Sequence, residues 1–571
     1  MTFTPWKARG AAVVSALLLA AAFPPLNWWP LALVALGPLL LAVWSGPAPT
    51  RGKAVPALIP DAVTDAAGEA RPGKHGGDGL AAGAEKPPHG RGPRASSFWT
   101  AFRLGWWFGF VFFTATLWWI QYVTLAGMLA LTAYLALYPA VAMGIAGWLG
   151  MRPDEHGGPA LGRILLLAGA WTGLEWLRGV ALWGFPWNGL AVPLFPSHLL
   201  RRLAATTGGA GLALMVAFMA ITLAACLRLQ AKSRMTAAVL LGVITLASAG
   251  WEGFCRMQDA PAAHHGKPPG QNYTALLIQP NLTMEEKMSP DPEAQRQRYF
   301  DLVARTDAAL AATAGPDGKT KAGLVVWPES AVPGFFDEMV QGGAFTDQLQ
   351  QGDFSLVTGA DHRDWDKLYN SVVAMRGTTG NRALHPKVRL VPFGEFIPFR
   401  REVPLFEKLL GDLIPMDFNP GTSLEPMRLE GQPFSIVPLV CFEDTIGDHA
   451  RRFIRPGPQV LVNVTNDNWF HQSPATEMHF ANARWRAVEL RRTLLRSANT
   501  GVTAMVSPLG EVQQIPSFQP GTLSGTFTAG DGGLTFYAKH GEVVAQAAGL
   551  GALAGCVAVG LHRRRTKPRL P

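Results

Sequence analysis

Apolar runs about one bilayer long recur along this chain and decide most of what it can fold into. They fall at 11–23, 28–44, 102–122, 126–150, 161–182, 208–229, 235–252 and 541–561. A helix needs ~20 predominantly apolar residues to cross the hydrocarbon core, so each run is a candidate span. The first, taken alone, has the basic start and small-residue stretch of a signal peptide. A second run follows at once after Pro24-Pro25-Leu26-Asn27, which favours two retained spans. An even number of spans puts both termini on one side. Lys7 and Arg9, the loop 47–97, Arg152 and Arg163, Arg228 with Lys232 and Arg234, and Arg563-Arg564-Arg565 with Lys567 fall on that side. Positive charge marks the cytoplasmic face, so the termini are expected there. Arg201-Arg202, in an outer loop, is the exception.

Composition agrees with a membrane protein: 48% of residues are hydrophobic, 16% are charged, and there are 19 Trp. The formal charge of +9 gathers beside the apolar runs, and no nucleic-acid motif accompanies it, so a nucleic-acid partner is not expected. The four cysteines, 226, 255, 441 and 556, have no metal-type spacing. No metal or organic cofactor is indicated. The resulting division is 1–46, two spans; 47–97, a Gly-, Pro- and charge-rich cytoplasmic loop; 98–252, five spans; 253–538, a polar domain on the outer side; and 539–571, a last span with a basic tail.

Within 253–538 the runs 275–279, 323–327, 355–359, 371–375, 436–441 and 460–464 are short and rich in Val, Ile and Leu, as buried strands are. Helical patterns occupy 291–313 and 477–498. Together these predict an α/β layered domain. The run 435–440 ends on Cys441, followed by Phe442, Glu443 and Asp444. A cysteine at a strand end can present its sulfur to a cleft, although a lone Cys is more often a small core residue. Three other stretches change that balance. They are Val325-Val326-Trp327-Pro328-Glu329-Ser330, the segment from His385-Pro386-Lys387 to Phe393-Gly394-Glu395, and Asn463-Val464-Thr465-Asn466-Asp467-Asn468-Trp469-Phe470.

These stretches resemble the nitrilase, or carbon–nitrogen hydrolase, superfamily, whose mark is a Glu–Lys–Cys triad in that chain order. With eight spans around them, nearly the whole chain is similar to the apolipoprotein N-acyltransferases of the bacterial inner membrane. The resemblance implies an αββα sandwich outside the membrane, with Glu329 as general base, Lys387 as oxyanion-stabilising cation and Cys441 as nucleophile. It implies Glu395 and Glu443 as further active-site acids, with Asn370 and Phe442 in support. Trp327, Met288 and Trp469 would contact substrate. Met288 stands where the family usually has Trp, and Phe442 where Tyr is common. The implied partners are a phospholipid acyl donor and a diacylglyceryl apolipoprotein acceptor, used by a monomer.

The chemistry suits these residue types independently. Acyl transfer from an ester to an amine needs a nucleophile that forms an acyl intermediate an amine can open, and a thiolate does so. A carboxylate can take the thiol proton, and a lysine cation favours the thiolate. A membrane-tethered amidase with water as acceptor would share the triad, and a non-catalytic receptor or transporter would share the spans but explain none of the three stretches. Other features leave alternatives open. Glu175 and Arg178 could pair on a helix face or orient it. Gly551 and Gly555 permit close helix packing. The segment 183–187 is expected at the outer surface. The arginines 484, 486, 491, 492 and 496 form a solvated or ion-paired helix face, or meet phosphate. Cys255, the other cysteine expected outside, is not expected to bond Cys441.

Overall fold

The computed structural model describes residues 3–45, 97–151, 157–229, 272–316, 322–341, 353–404, 416–530 and 532–566, with a few isolated positions between them. The apolar part is a bundle of α1 (Pro5–Ala21), α2 (Gly37–Ser45), α3 (Phe98–Leu117), α4 (Leu125–Leu135), α5 (Leu137–Leu149), α6 (Gly157–Val180), α7 (His198–Cys226) and the C-terminal helix Val543–Arg565. Among the described residues three helices are long and apolar enough to cross a membrane: Leu125–Leu149, His198–Cys226 and Val543–Arg565. Shorter or more polar helices occupy four further expected spans. Of these α3 carries Arg103 among its tryptophans, and α6 carries Arg163, Glu175 and Arg178. The span expected at 235–252 and most of the loop 47–97 lie outside the described residues.

Glycine sets two features of the bundle. Gly208 interrupts α7 at φ 68°, and a Cβ there would sit 2.4 Å from the Tyr537 ring. A left-handed kink at such close quarters suits only glycine. Gly173 of α6 meets Gly549 of the C-terminal helix so closely that a Cβ on Gly173 would fall 2.6 Å from the Gly549 Cα. Of the expected pair, Gly555 is also close, its Cβ position 2.2 Å from the Leu166 side chain, whereas that of Gly551 meets nothing within 4 Å.

The polar domain holds two sheets. The six-stranded sheet runs in the order β11 (Gly521–Thr528), β1 (Asn272–Gln279), β2 (Ala322–Val326), β3 (Ser355–Asp364), β4 (Lys367–Arg376), β5 (Thr378–Pro386). The five-stranded sheet runs β10 (Val512–Ile515), β9 (Thr503–Val506), β8 (Leu494–Ala498), β7 (Gln459–Thr465), β6 (Ser435–Val440). Strands β1–β2–β3 and β6–β7–β8 pair in parallel. Alternation along the strands separates three apolar layers. Ala275, Leu277, Val326, Ile436, Val440 and Val462 fill the space between the sheets. Leu276, Ile278 and Val325 pack outward on Leu302 and Leu310 of α9 (Pro292–Ala312), the helix after α8 (Met284–Met288). Val437, Leu439 and Leu461 pack outward on α10 (Ala475–Ala483) and α11 (Trp485–Leu490), in a core continuous with the bundle. The expected αββα layering is present, and its second helical layer rests on the membrane part.

Several expectations are corrected here. The helix expected over 477–498 ends at Leu490, because Arg491 turns left-handed at φ 51° and β8 follows. Strands β5 and β8 to β11 were not anticipated. The segment 183–187 is not simply an outer surface: Trp187 is buried, and its Nε1 donates to Thr445 Oγ1 at 3.0 Å. Glu175 and Arg178 share one use. Arg178 Nη1 donates to the carbonyls of Phe185, 2.9 Å, and Trp187, 2.6 Å, while Glu175 Oε1 accepts from Leu190 N at 3.0 Å. They hold the loop after α6 in place. Arg201, the exception to the charge rule, is buried and donates to the Gly510 carbonyl at 3.2 Å, tying α7 to the turn between β9 and β10.

Candidate active site

Three strand ends deliver the expected triad to one place. Glu329 follows β2 by three residues, Lys387 directly follows β5, and Cys441 directly follows β6. Glu329 and Lys387 are buried, and Cys441 is half-buried. Cys441 takes φ 52°, a left-handed conformation uncommon for a residue bearing a side chain, as it begins the short 3-10 turn Cys441–Thr445. Strain of this kind persists where the surroundings over-determine it, and here they do. Asn463 Nδ2 donates to the Cys441 carbonyl at 2.9 Å. Glu443, two residues on, is fully buried. Its Oε2 accepts from Val440 N at 2.8 Å, and its Oε1 accepts from Val388 N at 2.9 Å and Arg389 N at 2.8 Å. Glu443 thus clamps the Cys441 turn to the chain just after Lys387. Burial alone would raise its pKa, but His449, Lys387 and the backbone donors bring it to about 2. Both of its oxygens are occupied by backbone donors.

Lys387 Nζ lies 2.8 Å from Glu395 Oε1 and 4.0 Å from Glu329 Oε1. Asn370 Nδ2 donates to both carboxylates, at 2.8 Å to Glu329 and 3.0 Å to Glu395. Glu395 Oε2 accepts from Val391 N at 2.8 Å. Burial would discharge Lys387, yet Glu395, Cys441, Glu329 and Glu443 outweigh it and push the pKa above its ordinary value. Lys387 therefore stays a cation. Cys441 is pushed the other way, well above the ordinary thiol range, by burial first and then by Glu329, with Lys387 offsetting only part. The resting sulfur is thus a thiol beside a carboxylate, and not the preformed thiolate that the lysine alone suggested. The Phe442 ring lies 5.4 Å from Lys387 Nζ.

Behind Cys441 is a buried charge cluster whose members lie far apart in the sequence. Arg496 Nη2 lies 2.9 Å from Asp467 and Nη1 lies 3.3 Å from Asp444; Nη1 also donates to Asn463 Oδ1 at 3.0 Å. His479 bridges the same two aspartates, at 2.6 Å to Asp467 and 3.0 Å to Asp444. Burial opposes its charge, but Asp467 and then Asp444 outweigh it and raise the pKa to about 9. The arginine row divides accordingly. Arg486 pairs with Glu489 at 2.6 Å, and Arg496 belongs to a strand, so the row is not one helix face.

The expected substrate contacts fare unevenly. Trp327 is fully buried among Tyr299, Phe345 and α9, with Nε1 donating to Thr306 Oγ1 at 2.9 Å. It continues the outward face of β2 and is a core residue, which corrects its expected role. Trp469 is exposed, on the turn whose Asn468 Nδ2 donates to the Leu282 carbonyl at 3.1 Å. Met288 ends α8. Beside it Lys287, unremarked in the sequence, places Nζ 3.3 Å from the Glu329 carbonyl oxygen. Asp361 is a second such residue. It faces Asn370 across β3 and β4, and burial raises its carboxyl to about 6. Cys441 is a free thiol, and Cys255 lies outside the described residues. Among the described residues no cluster of His, Cys, Asp and Glu could hold a metal ion.

Known proteins resemble the chain in both halves. Residues 91–222 match the family model of the apolipoprotein N-acyltransferase N-terminal domain, and residues 288–535 match that of carbon–nitrogen hydrolases. The apolipoprotein N-acyltransferase of Geobacter metallireducens is 31% identical over 79% of this chain and 85% of its own. That of Rhizobium etli is 30% identical over 76% and 80%. A carbon–nitrogen hydrolase superfamily structure from Xanthomonas campestris, 18% identical, covers 45% of this chain and 91% of its own with a TM-score of 0.32. With identity at this level across most of both proteins, the chain belongs to the apolipoprotein N-acyltransferase family.

Proposed function

We propose that the chain is a bacterial inner-membrane enzyme that acylates lipoproteins at their amino terminus, taking the acyl group from a phospholipid through a thioester on Cys441. The observation that carries the reading is the meeting of Cys441, Glu329 and Lys387 at three strand ends, on a domain whose helical layer continues into an apolar bundle. Glu329 accepts the thiol proton as Sγ attacks the ester carbonyl carbon. Lys387, with a backbone N–H after Cys441, balances the developing oxyanion, a contribution of ~3–4 kcal/mol for each well-placed donor. As the C–O bond breaks, protonated Glu329 returns the proton to the departing glycerol oxygen and a lysophospholipid leaves. The α-amine of the lipidated N-terminal cysteine then attacks the thioester. Glu329 takes a proton from that nitrogen, the amide forms, and Cys441 is released to be reprotonated. Asn370 and Glu395 hold the base and the cation at their separation throughout.

Both substrates are lipids, which accounts for eight spans where one would anchor a domain. In this reading the termini are cytoplasmic, 253–538 is the outer catalytic domain, and the enzyme works as a monomer. The test is lipoprotein N-acylation in cells depleted of their own enzyme. The chain restores it and Cys441→Ala does not. Restoration by Cys441→Ala would end the proposal.

A further inference from the structure

Lys287 stands against the backbone of Glu329 with Arg298 near enough to feel its charge, and neither has an ion pair with a described carboxylate. Lys287, half-buried on α8, has one hydrogen bond, to the Glu329 carbonyl at 3.3 Å. Arg298, half-buried on α9, has one, from Nη1 to the Glu286 carbonyl, and its Nε is buried with no acceptor. Burial and Arg298 both disfavour the Lys287 ammonium, which Glu329 and Asp361 favour from beyond pairing distance. The segment bearing them is held firmly. Leu282 exchanges hydrogen bonds with Asn499, N to Oδ1 at 2.8 Å and Nδ2 to O at 2.9 Å. Thr283 and Glu286 close a reciprocal cap on α8. Half-buried cations fixed by single carbonyls, with donors left over, are what an anion site requires before its anion arrives.

We propose that Lys287 and Arg298 form the site for the phosphate of the acyl donor. The inference rests on the phospholipid reading above and deepens it. Scale supports the assignment. From the Glu329 carbonyl oxygen to its carboxylate oxygens is six bonds, a reach of roughly 6–7 Å at ordinary bond lengths. In a glycerophospholipid five or six bonds separate the phosphorus from the reacting ester carbon, roughly the same span. The spans match, so an ester placed before Glu329 and Cys441 is long enough to bring its phosphate to Lys287. The two cations select phosphodiester lipids over neutral glycerolipids bearing the same acyl chains, and they act in binding rather than in proton transfer.

The experiment measures acyl-Cys441 formation by the full chain in detergent, with phosphatidylethanolamine or the matching diacylglycerol as donor. The wild type is expected to show a lower KM for the phospholipid. Lys287→Gln and Arg298→Gln, which keep a polar donor and remove the charge, are each expected to raise that KM on the order of ten- to a hundredfold and to affect diacylglycerol far less. Lys287→Arg is expected to retain most of the preference. Equal loss with both donors would mean that Lys287 merely holds the Glu329 backbone, and an unchanged phospholipid KM would mean that no phosphate is bound; either overturns the inference. Competition by millimolar inorganic phosphate without any donor preference would assign the site to free phosphate and overturn it too. A wild type that uses neither lipid sinks the phospholipid reading and this inference together, whereas a wild type active on both with insensitive variants sinks this inference alone.

Discussion

Replacing Glu329 by Gln separates the two charged partners of Cys441. The amide keeps the shape of the side chain and can still accept from Asn370 Nδ2, 2.8 Å away in the native site. It cannot take a proton. A general base of this kind contributes ~10²–10⁴-fold, so acyl-Cys441 formation at neutral pH is expected to fall by that factor. Raising the pH then helps. Burial still holds the thiol above its ordinary range, but the repulsion from Glu329, the second cause of its shift, is gone. Each pH unit below the thiol pKa should recover about tenfold. Lys387→Met behaves differently. It removes the cation that lies 2.8 Å from Glu395, and with it the oxyanion support worth ~3–4 kcal/mol, or about 10²–10³ in rate. High pH makes more thiolate without restoring that support, so recovery should be slight. Because the substitution strands Glu395, Lys387→Met with Glu395→Gln is the control for structural damage. The assay is mass spectrometry of acyl-Cys441 after mixing with phospholipid, between pH 6.5 and 8.5, with folding checked at each point. If Lys387→Met recovers with pH as steeply as Glu329→Gln, the proposed division of labour is wrong, and Cys441 could remain nucleophile only with new partners.

Cys441→Ser is expected to abolish transfer while the protein stays folded in the membrane, since a buried serine is far harder to ionise; more than a trace of activity in purified protein contradicts the assignment. His479 titrates near 9 in the folded chain against an ordinary 6.5, so its contribution is complete below pH 6.5 and lost as pH rises through 9. The difference corresponds to about 3 kcal/mol, and thermal unfolding in detergent at pH 7 and 9.5 should show a fall in Tm that His479→Gln largely removes. Gly549→Val should destabilise the bundle by ~1–3 kcal/mol, because a Cβ there falls 2.9 Å from the Gly173 Cα, whereas Gly551→Val should be tolerated. Equal Tm values for the two valine variants would refute that packing.

The parts of this structure that sequence exposes are those with a strong local pattern. Strands β6 and β7 are buried on both faces and read as continuous apolar runs, so Cys441 could be placed at a strand end from its neighbours alone. The helix over 292–312 begins with Asp291 and Pro292 as cap and first residue, and it was found within a residue or so. The misreadings arise where tertiary context overrules local appearance. The arginines after 484 looked like a helical face, yet Arg496 lies inside a strand, buried and held by two aspartates more than 25 residues away in sequence. Trp327 shares a short motif with Glu329 but ends in the layer under α9. Lys287 carried no signal at all. One lysine in a polar loop is ordinary, and only the fold sets it behind the catalytic carboxylate.

The charges within the bundle gain a purpose from the same geometry. The turn Cys441–Thr445 is gripped at its far end from two sides: Trp187 Nε1 donates to Thr445 Oγ1, and Arg486 Nη1 donates to the Thr445 carbonyl at 2.7 Å. Trp187 is itself fixed by Arg178 through its carbonyl, and Asn188 N donates to Asn482 Oδ1 at 3.0 Å on α10. Arg178 and Glu175 are costly where they stand, and a domain that needed only an anchor would have no use for them. Their hydrogen bonds run through the loop after α6 into the turn that begins at Cys441. The loop after α6 therefore holds the Cys441 turn at Thr445, four residues after the cysteine. A domain cut free at the last outer residues would lose the Trp187 contact and the packing of Phe470 on Trp119, 4.3 Å between ring centres.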